Sequence, residues 1–459
     1  MTLLKKVIEL SLLFSVCIFL VGCATYGSKM EEVRVLFSQN KYEQALEKLE
    51  DTESGRSRLL YLLEKGMLLH YADRYKESNS VFEEAELLSE DLYTKSISRE
   101  ASAFLTSDNI RPYEGEKFEI ALIHYYRAFN YIYLDLPDDA LVECRKVSFL
   151  LQRYKDNSQD KSTAYSDDAF MQYLSGMLFE WQGEINDAFI SYRKAEEAYQ
   201  IYEEEYNVPM PPSLKEDLIR TAKTLGFIEE YNFYINKYGK QYDTESSDDN
   251  SGKLVVIHEN GFAPVKDSVE IVLPILKKDD LGADVWKYSG KLRTRAGKRY
   301  DDADIEYLLR VSIPEYKSNR PRIKHMHVKT DGIEISASKV EDVEAIAFKN
   351  FQERQPIILL RTIARGLTKY LAYRQVRKKS EGLGLLANIV NVATESADTR
   401  SWLTLPNSFS IARLNLPPGK HNISLIFYDE RGRKIESADI PDVEIKSGSF
   451  SFINYRTFQ

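Results

Sequence analysis

Cysteine is nearly absent from this 459-residue chain, with three in all, and histidine and tryptophan are almost as scarce at six and three. So few cysteines exclude a disulfide-stapled fold and a Cys-rich zinc module. Glycine and proline, 21 and 14 residues, are too few for a collagen-like or low-complexity chain. A single long apolar run, residues 10–21, excludes a polytopic membrane protein. A net charge of −9 argues against nucleic acid as a partner. HExxH, GxSxG, CxxC and phosphate-loop patterns are all missing, so no catalytic residue, metal or soluble cofactor is expected and the chain reads as a non-enzyme.

What is present is unevenly distributed. Residues 24–250 carry 26 basic against 44 acidic side chains, and residues 251–459 carry 34 against 26. A sign change at one point implies two modules with different surfaces.

The first residues specify an address. Lys5 and Lys6 precede an apolar stretch that ends in Leu20-Val21-Gly22-Cys23. A basic start followed by an apolar run too short to span a bilayer is a signal peptide, residues 1–22. Its end resembles the lipobox of bacterial lipoproteins. That resemblance implies cleavage before Cys23, a covalent lipid on its thiol, and a short tether over residues 23–30. Several acyl chains hold a protein stably on a membrane, at about 0.8 kcal/mol per buried CH₂. Ala24, where retention signals place Asp, implies the outer membrane, facing the periplasm. Cys17 leaves with the signal, so Cys144 is expected as a lone buried thiol.

Residues 31–241 read as an α-solenoid. Gly66, Tyr75, Ser78, Phe82 and Ala85 fall at the small and aromatic positions of a tetratricopeptide repeat. Gly176, Ile185, Ala188, Tyr192 and Ala195 repeat the pattern with Gly183 at the turn. Ala128, Tyr131, Ala140 and Val147, with Pro137, give a third copy, and Tyr42 and Ala45 a weaker one. Short side chains let two antiparallel helices close, and large ones fill the groove that remains. The spacing leaves inserts near 89–115 and 153–167. Ser213-Leu214-Lys215-Glu216 reads as a capping box for a helix ending at Gly226, sealing the array. The repeat positions place His70, Tyr71, Tyr125, Tyr133, Tyr173 and Trp181 on the concave face, where rigid aromatic area suits a protein or peptide partner.

Residues 242–252 are acidic and aperiodic, a linker. Residues 253–395 read as a mixed α/β module. Strands are expected around 254–258, 269–273, 307–313 and 323–328. A helix capped by Ser338 to Glu341 is expected to run to Gln355, and a second to start at Pro356. Residues 396–459 read as four strands of a small antiparallel sandwich. The fold class is thus multidomain, α plus α+β: a TPR-like solenoid, then a β-rich module with two helices and a sandwich-like end. Arg361, Arg365, Lys369, Arg374 and Arg377 mark a cationic stripe on the second helix, suited to an anionic surface or simply to solvent. His325 and His327 share one strand face without a third ligand, and Asp398 and Arg400 suit a pair fixing a turn beside Trp402.

The lipobox, the repeats, LKEDLIRTAKTLGF at 214–227, IHENGFAPVK at 257–266 and ADTRSWLTLP at 397–406 together resemble a family of uncharacterised bacterial tetratricopeptide-repeat lipoproteins. The resemblance implies a Gram-negative envelope protein anchored by its lipid, with an envelope protein, or peptidoglycan through the basic module, as partner.

Overall fold

The computed structural model describes residues 26–103, 111–157, 165, 167–243, 250–276, 285–288, 291–294, 305–377 and 397–459. The signal peptide and Cys23 lie outside them.

Ten helices form five antiparallel hairpins. They are α1 (Tyr26–Ser38) with α2 (Tyr42–Glu50), α3 (Arg58–Tyr71) with α4 (Tyr75–Ala103), and α5 (Lys117–Tyr133) with α6 (Pro137–Asn157). Then come α7 (Ala169–Trp181) with α8 (Ile185–Tyr206), and α9 (Pro212–Thr224) with α10 (Ile228–Tyr238). Every hairpin turns at one residue in the left-handed region: Asn40, Asp73, Asp135, Gly183 and Gly226. Asn, Asp and Gly are the residues that visit that region at least cost. In each case the next helix starts two residues later.

The small-against-large logic is visible atom by atom. A Cβ on Gly176 would come within 2.2 Å of the Tyr192 ring, and one on Gly66 within 2.6 Å of Phe82. Ala45, Ser78, Ala85, Ala140, Ala188 and Ala195 are fully buried. Cys144 is buried as expected, and burial pushes its thiol up to about 12.

Two local expectations are corrected at α9. Pro212 is its first residue, so Ser213 lies inside the helix and its hydroxyl oxygen accepts from Tyr173 Oη at 2.8 Å instead of capping. Proline supplies the helical φ for that first position. The array also ends with a full hairpin, because α10 follows Gly226. The expected insert at 89–115 is in part the continuation of α4 to Ala103.

The second half is built on two four-stranded sheets. One has the order β12 (Phe450–Thr457), β1 (Gly252–Asn260), β9 (Ser408–Leu416), β8 (Ser338–Asp342). The other runs β11 (Lys434–Ile445), β10 (Gly419–Tyr428), β6 (His325–Thr330), β7 (Ile333–Ser336). A long ribbon pairs β2 (Val265–Leu276) with β5 (Ile305–Lys317), and β3 (Val285–Tyr288) pairs with β4 (Lys291–Thr294). Strand β1 lies antiparallel to β9 and parallel to β12, so the sandwich draws strands from both sides of the boundary expected at 395/396. Such long-range pairing leaves no local mark in the sequence.

Ser338–Asp342 is strand β8, not a capping box. Asp342 caps the following helix instead, accepting from Ala345 N at 2.9 Å. That helix, α11 (Val343–Arg377), runs unbroken through Pro356 where two helices were expected.

Strand β1 is buried almost throughout because both of its faces are covered. Leu254 and Val256 join the core between the two sheets, with Met326, Val328, Leu425 and Phe427. Val255 and Ile257 point the other way, into the core of the helical array. The first sheet is therefore the middle layer of the molecule.

Candidate functional site

The concave face of the array holds that middle layer. At its centre Glu259 of β1, with no solvent exposure, faces Arg456 of β12 at 3.5 Å. Three tyrosines from the first helices of two hairpins donate to the same carboxylate: Tyr71, Tyr126 at 2.8 Å and Tyr125 at 3.2 Å. Asn454 adds a fourth donor at 2.9 Å, and its own backbone N–H donates to Tyr133 Oη at 3.0 Å. Arg456 also donates to the carbonyls of Gly261 and Thr404. A buried carboxylate is stable only when so partnered.

Beside it the segment 400–405 runs through the groove. Trp402, 1% exposed, packs between Phe82 and Tyr126. Its backbone N–H donates to Glu119 at 2.7 Å, Leu403 N donates to Glu64 at 2.8 Å, and the Thr404 hydroxyl donates to Glu64 as well. Acceptors on first helices that take backbone N–H groups from an irregular segment are elements of peptide recognition. Here the segment belongs to the same chain. Asp398 and Arg400 fix its entry, with Nη2 to Oδ2 at 2.7 Å, while Arg400 Nη1 donates to Arg56 O at 2.8 Å.

The far end of the groove is a second ion cluster. Arg413 of β9 meets Asp217 and donates to Tyr173 Oη at 2.7 Å, and Lys253 of β1 meets Glu180, which Arg220 also holds at 2.7 Å. These cations hold the Glu180 carboxyl down at about 2 against the opposing effect of burial.

The six concave-face residues are thus brought to one surface, and five of them meet the chain's own second half. Tyr71 and Tyr125 hold Glu259, Tyr133 holds Asn454, Tyr173 holds Arg413, and Trp181 lies 5.9 Å from the Phe452 ring. His70 stays within the array, paired with Asn130 at 2.7 Å. Sequence reasoning missed Glu64, Glu119, Glu180 and Glu259. The signal was available: each is a lone acid inside an apolar run (LLYLLEKGMLL, KFEIALI, GMLFEW, LVVIHEN).

The cationic stripe is not one surface. Arg365 is 6% exposed and Arg361 half-buried, while Arg374 is exposed. The side chains of Lys369 and Arg377 lie outside the described residues. Helix α11 packs against β5 through Gly366, where a Cβ would meet Leu309 at 2.8 Å. Leu367 and Leu371 of the same helix are 43% and 55% exposed.

Among the described residues Glu86, His124 and Glu143 are close enough to hold a metal. Arg127 and Lys146 already pair with both carboxylates, so the group is an ion-pair network. His327 pairs with Glu334 at 2.9 Å on the outer sheet.

The interface carries a pH dependence. Burial pushes Glu64 up to about 7 and Asp168 to about 6, and raises Glu119 and Glu341, the last helped by Asp168. Such a group binds a proton more tightly folded than unfolded, so its contribution is full below 4.5 and is lost as pH rises through the folded value. Buried His70 and His258 are shifted down, the latter to about 3, and act oppositely, adding stability as pH rises through 6.5. They offset the carboxyls over that range, so the Glu64 share is read as a difference between variants. Between about pH 6.5 and about pH 8 the wild type is expected to lose on the order of 1 kcal/mol relative to Glu64→Gln in urea unfolding.

No known protein-family profile matches the chain, and no curated protein sequence does. Among solved structures the chain is similar to a Podospora anserina putative kinesin light chain with TPR-like repeats, at 11% identity and TM-score 0.29, covering 46% of this chain and 91% of that one. It is similar to aspartyl phosphate phosphatase F of Bacillus subtilis at 16% identity and TM-score 0.32, covering 49% and 51%. MamA protein gives 14%, 0.29, 49% and 97%. Each likeness spans about half of this chain; the hairpins, turns and small-against-large contacts described above are what define a TPR-like array.

Proposed function

We infer that the chain is an outer-membrane lipoprotein acting as a protein-binding scaffold in the cell envelope. The observation that carries this reading is the use of the concave face to clamp the chain's own sandwich. That clamp joins the two halves into one body that offers partners its outer surface. Exposed apolar side chains there, Phe149 at 75%, Ile228 at 65% and Leu87 at 62%, give contact area for another protein. The lipobox supports the anchor, and α1 begins only three residues after Cys23, so the body would sit close to the membrane. Among the described residues no helix is long and apolar enough to cross a membrane. Cys23→Ser is expected to move the protein from the membrane to the soluble fraction; retention on the membrane would remove the lipid assignment. Crosslinked pull-down of the full chain is expected to recover an envelope protein, and Phe149→Glu with Leu87→Glu to reduce that recovery. Recovery of peptidoglycan with no protein would sink the scaffold.

A further inference from the structure

Strand β8 buries a carboxylate that takes neither a cation nor an N–H donor among the described residues. Consecutive side chains of a regular strand face opposite ways, yet Val340 and Glu341 are both buried. A bulge between Lys339 and Glu341 shifts the pairing with β9 and turns the second side chain inward. Three tyrosines of α8 at i, i+3 and i+7 meet the strand there. Tyr199 donates to the Val340 carbonyl at 3.1 Å. Tyr202 stands next to Glu341 but out of hydrogen-bonding geometry, and Tyr206 feels the same carboxylate.

Glu341 Oε2 and the Tyr202 and Tyr206 hydroxyls are all buried without a hydrogen-bond partner, and none of the three residues is more than 4% exposed. Other buried acids of this chain are answered. Arginines hold Glu259, Glu180 and Glu143, and backbone N–H groups hold Glu64 and Glu119. The charges that act on Glu341 are those of Asp168 and Asp342, both carboxylates. Asp168 caps α7, accepting from Met171 N and from the Tyr165 hydroxyl at 2.8 Å each, and each of its oxygens keeps a second lone pair. A buried carboxylate beside a second one is costly without a positive partner. Three unpartnered oxygens in a negative field, with no nitrogen or sulfur among them, are the donor set that hard metal cations select.

We propose that Glu341, Tyr202 and Tyr206, with Asp168 beside them, bind a hard metal cation that fastens the edge of the middle layer to α8. The inference does not rest on the scaffold reading. The test is the melting temperature of the full chain, refolded in detergent at about pH 8 with choline chloride as the only salt. Choline is then replaced by calcium, magnesium, sodium or potassium at equal ionic strength. A cation that binds only the folded chain raises the midpoint, here by a few degrees near saturation. Dependence on calcium or magnesium assigns a divalent occupant, and dependence on sodium or potassium a monovalent one. Glu341→Gln is expected to abolish the rise, and Tyr206→Phe to weaken the apparent affinity about ten-fold. In choline alone both variants are expected to melt at or above the wild type, because each removes a buried polar group that lacks a partner. Equal melting temperatures of the wild type in all five salts, or a rise that both variants share, overturns the proposal and leaves the three oxygens to water.

Discussion

Arg456→Met is expected to destabilise the folded chain by about 3–5 kcal/mol, the effect of leaving a buried carboxylate without its cation. Glu259 has no exposed surface, and the neutral donors that remain, three tyrosines and Asn454, do not replace the guanidinium charge. The loss is compounded because Arg456 also satisfies the carbonyls of Gly261, at the end of β1, and of Thr404, within the inserted segment. Urea unfolding of the full chain measures it. Arg456→Met paired with Glu259→Gln is expected to recover part of the loss, since the second change removes the buried charge; if the double variant is as unstable as the sum of the two single ones, the pairing is not what holds the centre of the groove.

Trp402→Ala is expected to cost about 3–5 kcal/mol, the range for deleting a buried aromatic ring. The ring is the largest fully buried side chain among the described residues, wedged against Phe82 and Tyr126 of the array. Removing it empties the groove at the point where Glu64 and Glu119 grip the backbone on either side. The consequence should be an uncoupling of the halves rather than a loss of either. Limited proteolysis is therefore expected to release a helical fragment from Trp402→Ala under conditions in which the wild type is intact. Equal resistance of the two would show that Trp402 does not join the halves.

The helical half was legible because its rules are local. Small residues face large ones at fixed spacing, and Gly183 and Gly226 mark turns; Asn40, Asp73 and Asp135 do the same work without the obvious signature of glycine. Most strands were legible too, from β-branched and aromatic runs such as LVVIH and ISLIFY. What could not be read was which surfaces meet. The aromatic residues placed on the concave face do lie there, and the sequence offered a second protein as their target. Their actual neighbours are Glu259, Asn454 and Arg413, up to 329 positions away. No period or motif encodes that distance. The clue was chemical: four glutamates set singly in apolar runs need buried partners, and many of these lie in the second half of the chain, the Trp402 and Leu403 amides, the Thr404 hydroxyl, Lys253 and Arg456. Helix α11 shows the opposite error. Its arginines looked solvated by position, but Gly366 draws the helix onto Leu309 and turns Arg365 inward.

The clamp itself is tested most directly by following urea unfolding of the full chain with two probes at once. Far-ultraviolet dichroism reports the helices, and with Trp286 of β3 replaced by Phe, tryptophan fluorescence reports Trp402 and Trp181, both at the junction. If the array is folded around the sandwich as one body, the two probes should give coincident transitions with the same midpoint and slope. Fluorescence changing in a separate transition, at lower denaturant and with the helices intact, would show that the concave face lets go of the second half while both remain folded, and would contradict the clamp.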